Sequence, residues 1–216
     1  MDNSGIDMFG AIEGHRLDIV QELLNSGVSA NGSINGEYPL YAATRHNFVD
    51  GVKLLLDNAA DPNSTNNDGM TPLHCAVSKN PAIVDLLIKA GADCNIRDDM
   101  GKTPLCHIMR DSYLIKNDFR RVENICNKLL EGGANPYLEA DKDYLNNVLK
   151  GETPFSKAPD EIKVVFNAFE ANELEKSVAP LMTKLPPQMR SSSEVGAKVD
   201  DKKPEVKTQS RGRSRL

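Results

Sequence analysis

The chain has no tryptophan, few other aromatic residues and no long apolar run. Aromatic residues make up 5% of its 216 residues, although the hydrophobic share is 39%. A core built mainly of Leu, Val, Ile and Ala favours packed helices over a β-sandwich. No stretch of about 18 apolar residues is present, and the N-terminus has no basic region followed by an apolar run. We therefore expect a soluble, cytoplasmic protein without membrane contact.

The composition also lacks a broad basic field and a disulfide framework. The formal net charge is -5, so we expect the body of the protein not to bind nucleic acid. The four cysteines are too sparse for a disulfide scaffold and too far apart for a CxxC pair: Cys75, Cys94, Cys106 and Cys126. We expect free thiols in a reducing compartment.

Sequence motifs of common enzymes are missing as well. The chain contains no GxSxG nucleophile elbow, no GxxxxGK[ST] phosphate loop and no HExxH zinc motif. We therefore expect no enzymatic activity and no cofactor.

The dominant positive feature is an internal repeat with a period of 32 or 33 residues. Copies of one motif come into register at Tyr38-Pro39-Leu40, Thr71-Pro72-Leu73 and Thr103-Pro104-Leu105, and a fourth follows at Thr153-Pro154-Phe155. Each copy leads into a short segment of small residues, then an apolar helical segment and then a turn. A period in this range indicates stacked units of two helices that are too short to be stable alone.

The residue types within one unit fit a helix-turn-helix structure. Pro at the first helical position has a preset φ and no unpaired N–H, and Thr71 and Thr103 are suited to cap the helices that follow. Three second helices are followed by glycines that we expect in the left-handed conformation: Gly27, Gly91 and Gly133. Asparagines then open the connections, and we expect their side chains to bond their own turns: Asn31, Asn63 and Asn95.

These motifs closely resemble the ankyrin repeat. Nearly the whole pattern is present between residues 68 and 95, including the G-M-T-P-L-H segment at 69–74. The resemblance implies an all-α solenoid of four to five helix-turn-helix units with a disordered C-terminal tail. It also implies that His74 braces the connection between repeats and that Cys75 faces the core.

The resemblance divides the chain into repeats and a tail. We expect an N-terminal capping repeat at 4–35, repeats at 36–67 and 68–99, a repeat with insertions at 100–150, a degenerate C-terminal capping repeat at 151–178 and a basic tail at 186–216. The distance from Gly91 to Gly133 is 42 residues, and we expect the excess residues, 111–118, to form a loop. A second expansion at 138–150 is expected to include a helical turn around 144–149.

The last 31 residues differ in composition from the repeats. They contain eight Lys or Arg and four Asp or Glu, so this tail carries +4 while residues 1–185 carry -9. We expect the tail to be disordered and to have a separate task from the acidic stack. Its end, Ser214-Arg215-Leu216, resembles a peroxisomal targeting tripeptide and a PDZ ligand. Residues 211–215 resemble a segment that binds RNA or an import receptor. We favour a solvated basic end over these short matches.

Two groups of residues raise the question of chemistry. His-Cys and Cys-His pairs at 74–75 and 106–107 occupy equivalent positions in neighbouring repeats and contain good zinc ligands. Neighbouring side chains on a helix point about 100° apart, and packed helices lie about 8 to 10 Å apart, so we expect no metal site. Cys94 lies on a turn, where an incidental exposed thiol is favoured over a reactive one because no nearby cation lowers its pKa.

The resemblance implies a partner-binding surface made of the turn tips and the exposed side of the first helices. The variable positions of the family fall on Arg45, His46, Thr65, Asn67, Asp68, Met70, Ser78, Lys79, Arg97, Asp99, Met100, Lys102 and Arg110. Met70 and Met100 occupy related tip positions, where we expect them to supply adaptable apolar anchors.

The leading hypothesis is a monomeric adaptor whose stack holds one partner protein while the tail engages another. The alternative is a secreted effector of an intracellular bacterium, translocated into a host cell, because ankyrin proteins resembling this one are common there. A third hypothesis, an enzyme with a site in the insertions at 111–150, lacks a visible grouping of acid, base and nucleophile.

Overall fold

The computed structural model describes residues 8–138 and 153–184, which are predominantly helical. The helices in these ranges are α1 (Met8–Glu13), α2 (Leu17–Asn25), α3 (Pro39–Arg45), α4 (Val49–Asp57), α5 (Pro72–Ala76), α6 (Pro81–Lys89), α7 (Pro104–Arg110), α8 (Ser112–Asn117), α9 (Phe119–Glu131), α10 (Pro154–Lys157) and α11 (Asp160–Lys184). The described residues fall into two units that divide after Ala171. The predicted tail at 186–216 and the predicted helical turn at 144–149 lie outside the described residues.

The helices of the first unit stack in two layers. Helices α1, α3, α5, α7 and α10 contact one another in sequence and form one layer. Helices α2, α4, α6 and α9 do the same in the second layer. Each two-helix unit therefore packs on its neighbours, and the predicted all-α solenoid is confirmed.

The core between the layers is almost entirely aliphatic. Its large side chains with at most 1% of their surface exposed include Ile12, Leu40, Leu55, Leu73, Ile83, Leu87, Leu105, Ile108, Ile125 and Leu129. Burial of one such side chain contributes about 1.5 to 3 kcal/mol, so the stack is stabilised chiefly by contacts between units.

The first helices begin as their sequences predict. The side-chain oxygen of Thr71 accepts a hydrogen bond from the N–H of His74, and that of Thr103 accepts one from Cys106. Tyr38 stands at the equivalent position before α3 and makes no side-chain cap. The second helices end as predicted too, because three glycines have φ values of 93°, 88° and 88°: Gly27, Gly91 and Gly133.

The asparagines after these turns make bonds that the sequence did not suggest. The Nδ2 of Asn63 donates to the carbonyl of Gly91 at 3.3 Å, and its Oδ1 accepts from the N–H of Asp93 at 2.8 Å. The same pair of bonds joins Asn31 to Ala59 and Asp61, and Asn95 to Gly133 and Asn135. The prediction that these side chains bond their own turns is wrong, because each one bonds the following unit.

The excess residues of the fourth unit form a helix, α8, and the predicted loop at 111–118 is wrong. The Oδ1 of Asp111 caps this helix by accepting a bond of 3.0 Å from the N–H of Leu114, which is 8% exposed. At its other end, the Oδ1 of Asp118 accepts from the N–H of Arg121 at 3.2 Å and caps α9. A capping carboxylate and a buried leucine are sufficient to order a helix of six residues against the stack.

The described chain resumes with a short helix and a long one. In α10, the ring of Phe155 lies 5.1 Å from that of Tyr137 and 6.0 Å from that of Phe166, so the final helices pack on the preceding turn. Helix α11 begins at Asp160, directly after Pro159. Among the described helices, none combines the length and apolar character needed to cross a bilayer.

Candidate partner-binding surface

Two tight turns project before the first helices of neighbouring units, and we term them tip 66–70 and tip 98–102. In the first, the Oδ1 of Asn66 accepts hydrogen bonds of 3.0 and 2.9 Å from two backbone N–H groups of the tip. In the second, the Oδ1 of Asp98 accepts bonds of 2.9 and 2.8 Å from two backbone N–H groups. Each tip is thus closed by the side chain of its first residue.

The tips are joined to one another along the stack. The N–H of Asp99 donates to the carbonyl of Asp68 at 2.9 Å. The Nδ2 of Asn67 donates to the carbonyl of Asn35 at 2.8 Å, which ties tip 66–70 to the turn before it. Three of the predicted site residues therefore take part in a hydrogen-bonded row whose outer side faces solvent.

His74 braces tip 98–102 from the preceding unit, which confirms its expected role. Its Nδ1 accepts from the N–H of Thr71 at 3.1 Å, and its Nε2 donates to the carbonyl of Lys102 at 2.9 Å. These two bonds require the neutral ring with its hydrogen on Nε2. Only 2% of His74 is exposed, and this burial lowers its pKa to about 4.

A second imidazole binds the same tip, and the sequence analysis missed it. The Nε2 of His107 donates to the Oδ2 of Asp98 at 2.8 Å, and the ring of His107 meets that of His74 edge-on at 5.2 Å. Burial acts to raise the pKa of Asp98, but hydrogen bonds from His107 and from the N–H of Lys102 outweigh it and lower the pKa. Asp98 is therefore a carboxylate that holds three donors of its own tip and of α7.

The cysteine thiols are largely withdrawn from solvent. Cys94 is 1% exposed, and burial raises its pKa to about 11, so the expectation of an exposed thiol on the turn is wrong. The side chain turns inward, where its S–H contacts the carbonyl of Ala92. Cys75 is half-buried, so its expected orientation into the core is only partly correct. Within residues 8–138 and 153–184, no three His, Cys, Asp or Glu side chains are placed to hold a metal ion.

The predicted site residues fall into two rows. The tip row contains exposed Thr65, Asn67, Asp68, Asp99 and Met100, half-buried Met70 and Arg97, and buried Lys102. The expected exposure of Lys102 is wrong: the residue is 9% exposed and its Nζ lies 3.4 Å from the Sδ of Met100. The N–H of Lys102 donates to Asp98, and its carbonyl accepts from His74. These two hydrogen bonds hold the residue against the stack, where it is buried.

The other predicted residues lie at the opposite ends of the first helices. Their positions are Arg45 and His46 after α3, Ser78 and Lys79 after α5, and Arg110 at the end of α7. Arg45 pairs with Glu37 at 2.9 Å, whereas the carbonyl of half-buried His46 accepts from the Nε2 of His15 at 3.0 Å. A helix of seven residues separates the two rows by about 10 Å.

Exposed residues of α8 and α9 lie beside this second row and were not predicted. Tyr113 is 74% exposed, and Lys116 and Arg120 are also exposed. They were not predicted as surface residues of helices because residues 111–118 were expected to form a loop. The available signal was an Asp at each boundary followed by apolar residues, which is the start pattern of two helices.

Comparison with known proteins agrees with this architecture. A family model described as ankyrin repeats (3 copies) matches residues 8–98 and 61–140. The chain is 40% identical over 95 residues to a putative ankyrin repeat protein, FPV031, of Fowlpox virus, covering 40% of the chain and 28% of that protein. It is 37% identical over 67 residues to the ankyrin repeat-containing protein P1E11.10 of Schizosaccharomyces pombe, covering 31% and 32%.

A larger relative matches a segment of similar length. The E3 ubiquitin-protein ligase KEG of Arabidopsis thaliana is 35% identical over 98 residues, which cover 44% of the chain and 6% of the ligase. The matched region thus spans a third or less of each of these three relatives.

Proposed function

We propose that this chain, which belongs to the ankyrin-repeat family, is an adaptor that binds a partner protein through its tips and first helices. Ankyrin repeats are in general protein–protein interaction modules, and the family is typically non-enzymatic. The observation that supports this proposal most is the hydrogen-bonded row formed by tips 66–70 and 98–102. A surface that is already ordered loses little conformational entropy when it binds a partner.

The tip row also offers apolar anchors among its polar groups. Met100, the third residue of tip 98–102, is 40% exposed, and Met70, the last residue of tip 66–70, is half-buried. Thioether side chains are flexible and polarisable, so they adapt to irregular partner surfaces. A few such residues carry most of the binding free energy in typical interfaces.

The test is a charge substitution at both methionines. We expect the double variant Met70→Glu, Met100→Glu to bind captured partner proteins at least about tenfold more weakly, because a buried charge replaces an apolar contact. The matched control is Val164→Glu, Leu174→Glu, which changes two side chains on α11 that are 65% and 66% exposed. If the methionine variant holds every partner with unchanged affinity, the tip row is not the binding surface.

The charge difference between the two parts of the chain supports a second role for the tail. Residues 186–216 carry +4 and the remainder carries -9, so the two parts attract different partners. We expect affinity capture with the intact chain and with residues 1–185 to recover different sets of proteins. Identical sets would leave the tail without a binding role.

A further inference from the structure

We infer that the insertion of the fourth unit is a docking surface for an acidic segment of the partner protein. The surface consists of the exposed side chains of Lys79, Tyr113, Lys116 and Arg120, and we term it the insertion surface. This inference rests on the proposed function, since it names the chemistry of the partner that the adaptor would hold.

Helix α8 turns an aromatic ring and a cation toward solvent on one side. Tyr113 and Lys116 are three residues apart and therefore neighbours on the helix surface. On the other side, Leu114 is 8% exposed and Ile115 is half-buried and packed against the core. Tyrosine is enriched in protein interfaces because its ring supplies apolar area and its hydroxyl a polar contact. A tyrosine that is 74% exposed on an ordered helix is thus available as an anchor.

A turn of the preceding unit is hydrogen-bonded to the start of α9. The Nη2 of Arg121, in the first turn of α9, donates to the carbonyl of Ser78 at 3.2 Å and also to that of Lys79. These bonds place the backbone turn that carries Lys79 beside the first turn of α9, which also contains Arg120. The insertion surface therefore spans two units and joins the second row of predicted site residues.

The cations of the insertion surface form no ion pair with another side chain in the described part of the chain. Of the three carboxylates near these cations in sequence, Asp111 and Asp118 cap the backbones of α8 and α9, and Glu123 lies three residues after Arg120. Among the ion pairs within the described part of the chain, none involves the three cations of the surface. By contrast, Lys89 and Lys128 share Asp85 at 2.6 and 3.1 Å.

The complementary partner is an acidic peptide segment with an apolar side chain for Tyr113. Unpaired cations on a rigid surface attract carboxylates and set the orientation of docking. Nucleic acid fits less well, because residues 1–185 carry -9 and repel a long phosphate backbone. A short acidic segment bound at one edge avoids most of that repulsion, since charges beyond about 8 to 10 Å are screened.

The experiment measures binding of a defined peptide to the full chain by fluorescence anisotropy. The probe is a fluorescein-labelled peptide of about 12 residues with alternating Glu and Leu, a pattern that offers both carboxylates and apolar contacts. The control peptide has Gln in place of every Glu. We expect the Glu peptide to bind, the Gln peptide to bind at least about tenfold more weakly, and added salt to weaken the Glu peptide.

Two matched double variants locate the site. We expect the double variant Lys116→Glu, Arg120→Glu to bind the Glu peptide at least about tenfold more weakly than the unchanged chain. The control variant Lys53→Glu, Lys89→Glu has the same change in net charge, and we expect its affinity for the Glu peptide to stay within about twofold. Tyr113→Ser should weaken the peptide about threefold or more while Tyr113→Phe retains binding, because the ring supplies the apolar contact. Circular dichroism and thermal unfolding of each variant confirm that the fold is intact.

Four results would overturn the inference. These are no binding of the Glu peptide up to about 1 mM, equal binding of the Gln peptide, equal losses in both double variants, and tighter binding of a single-stranded oligonucleotide at the same residues. The proposed function fails separately, through unchanged affinity of the Met70→Glu, Met100→Glu variant for captured partners. If that variant loses its partners while the Glu peptide does not bind, the adaptor proposal stands and the insertion surface is rejected.

Discussion

At the scale of single residues, His74 connects two units through the two sides of one ring. Its Nδ1 bonds the start of its own helix and its Nε2 bonds the carbonyl that closes tip 98–102. Tyr41 and Cys106 stand at the equivalent positions of the neighbouring units, and neither side chain has two ring nitrogens. Of these three units, only the one that contains His74 therefore has this imidazole brace. The brace supports tip 98–102 of the next unit, which carries the more exposed methionine, Met100.

The brace makes stability depend on pH. The folded pKa of His74 is about 4, below its unfolded value of about 6.5, so the unfolded chain binds more protons between these values. Stability is therefore lost as pH falls from about 6.5 to about 4. We expect the free energy of unfolding in urea to drop by about 2 kcal/mol between pH 7 and pH 5 from this group.

Comparison with variants isolates the contribution of His74. The groups facing its ring are His107, Asp98 and the carbonyl of Lys102, and the low pKa of Asp98 affects stability mainly below this pH range. His74→Gln has no titrating group, so we expect its loss over the same range to be about 2 kcal/mol smaller. Parallel slopes for the intact chain and His74→Gln would contradict this account.

At the scale of the elements, the connections between units matter as much as the helices. Three asparagines make the same pair of bonds to the next unit, at spacings of 28 and 30 residues in the regular repeats. The spacing grows to 38 and 40 residues across the insertion, yet both bonds are kept. The insertion, whose helix α8 contacts both α7 and α9, therefore leaves the bonds at the turns after the second helices unchanged.

Removal of one asparagine tests this series of bonds. We expect Asn63→Ala to cost about 1 to 2 kcal/mol, because the N–H of Asp93 and the carbonyl of Gly91 lose their partner at the surface. The measurement is urea unfolding followed by circular dichroism. Asn124→Ala, at an exposed position of α9, serves as the control and should change stability by less than about 0.5 kcal/mol. Similar values for the two variants would show that the bonds add nothing to the stack.

At the scale of the whole molecule, the described repeats are stabilised between neighbours and not around one centre. The inner second helices contact a second helix on both sides: α4 contacts α2 and α6, and α6 contacts α4 and α9. The stability of such an array is approximately the sum of unit and interface contributions. A defect in a central unit is therefore felt on both sides.

Leu87 in α6 is the position at which to test this transmission, since it is 0% exposed. We expect Leu87→Ala to lower the free energy of unfolding by about 2 to 5 kcal/mol. Hydrogen exchange should show reduced protection in α4 and α9 as well as in α6. Leu174→Ala, at a side chain that is 66% exposed, should change stability by less than about 0.5 kcal/mol. A loss of hydrogen-exchange protection that is confined to α6 would contradict this description of the stack.

Local rules account for what the sequence predicted correctly. The Thr-Pro starts set a cap and a preset φ, and the three glycines take the left-handed conformation, all within a few residues of chain. The wrong prediction at 111–118 came from reading excess length as a loop. Its two aspartates are local helix signals, so that error was avoidable.

By itself, the sequence determined the repeat, the helix starts and ends, and the stacking that follows from short amphipathic helices. Only the tertiary structure decided the partners of Asn63, the pairing of Asp98 with His107 and the inward turn of Cys94. It also placed Lys79 beside α9 through Arg121. These outcomes depend on which surfaces meet when units pack, and packing distance is not encoded in the spacing of residues along the chain.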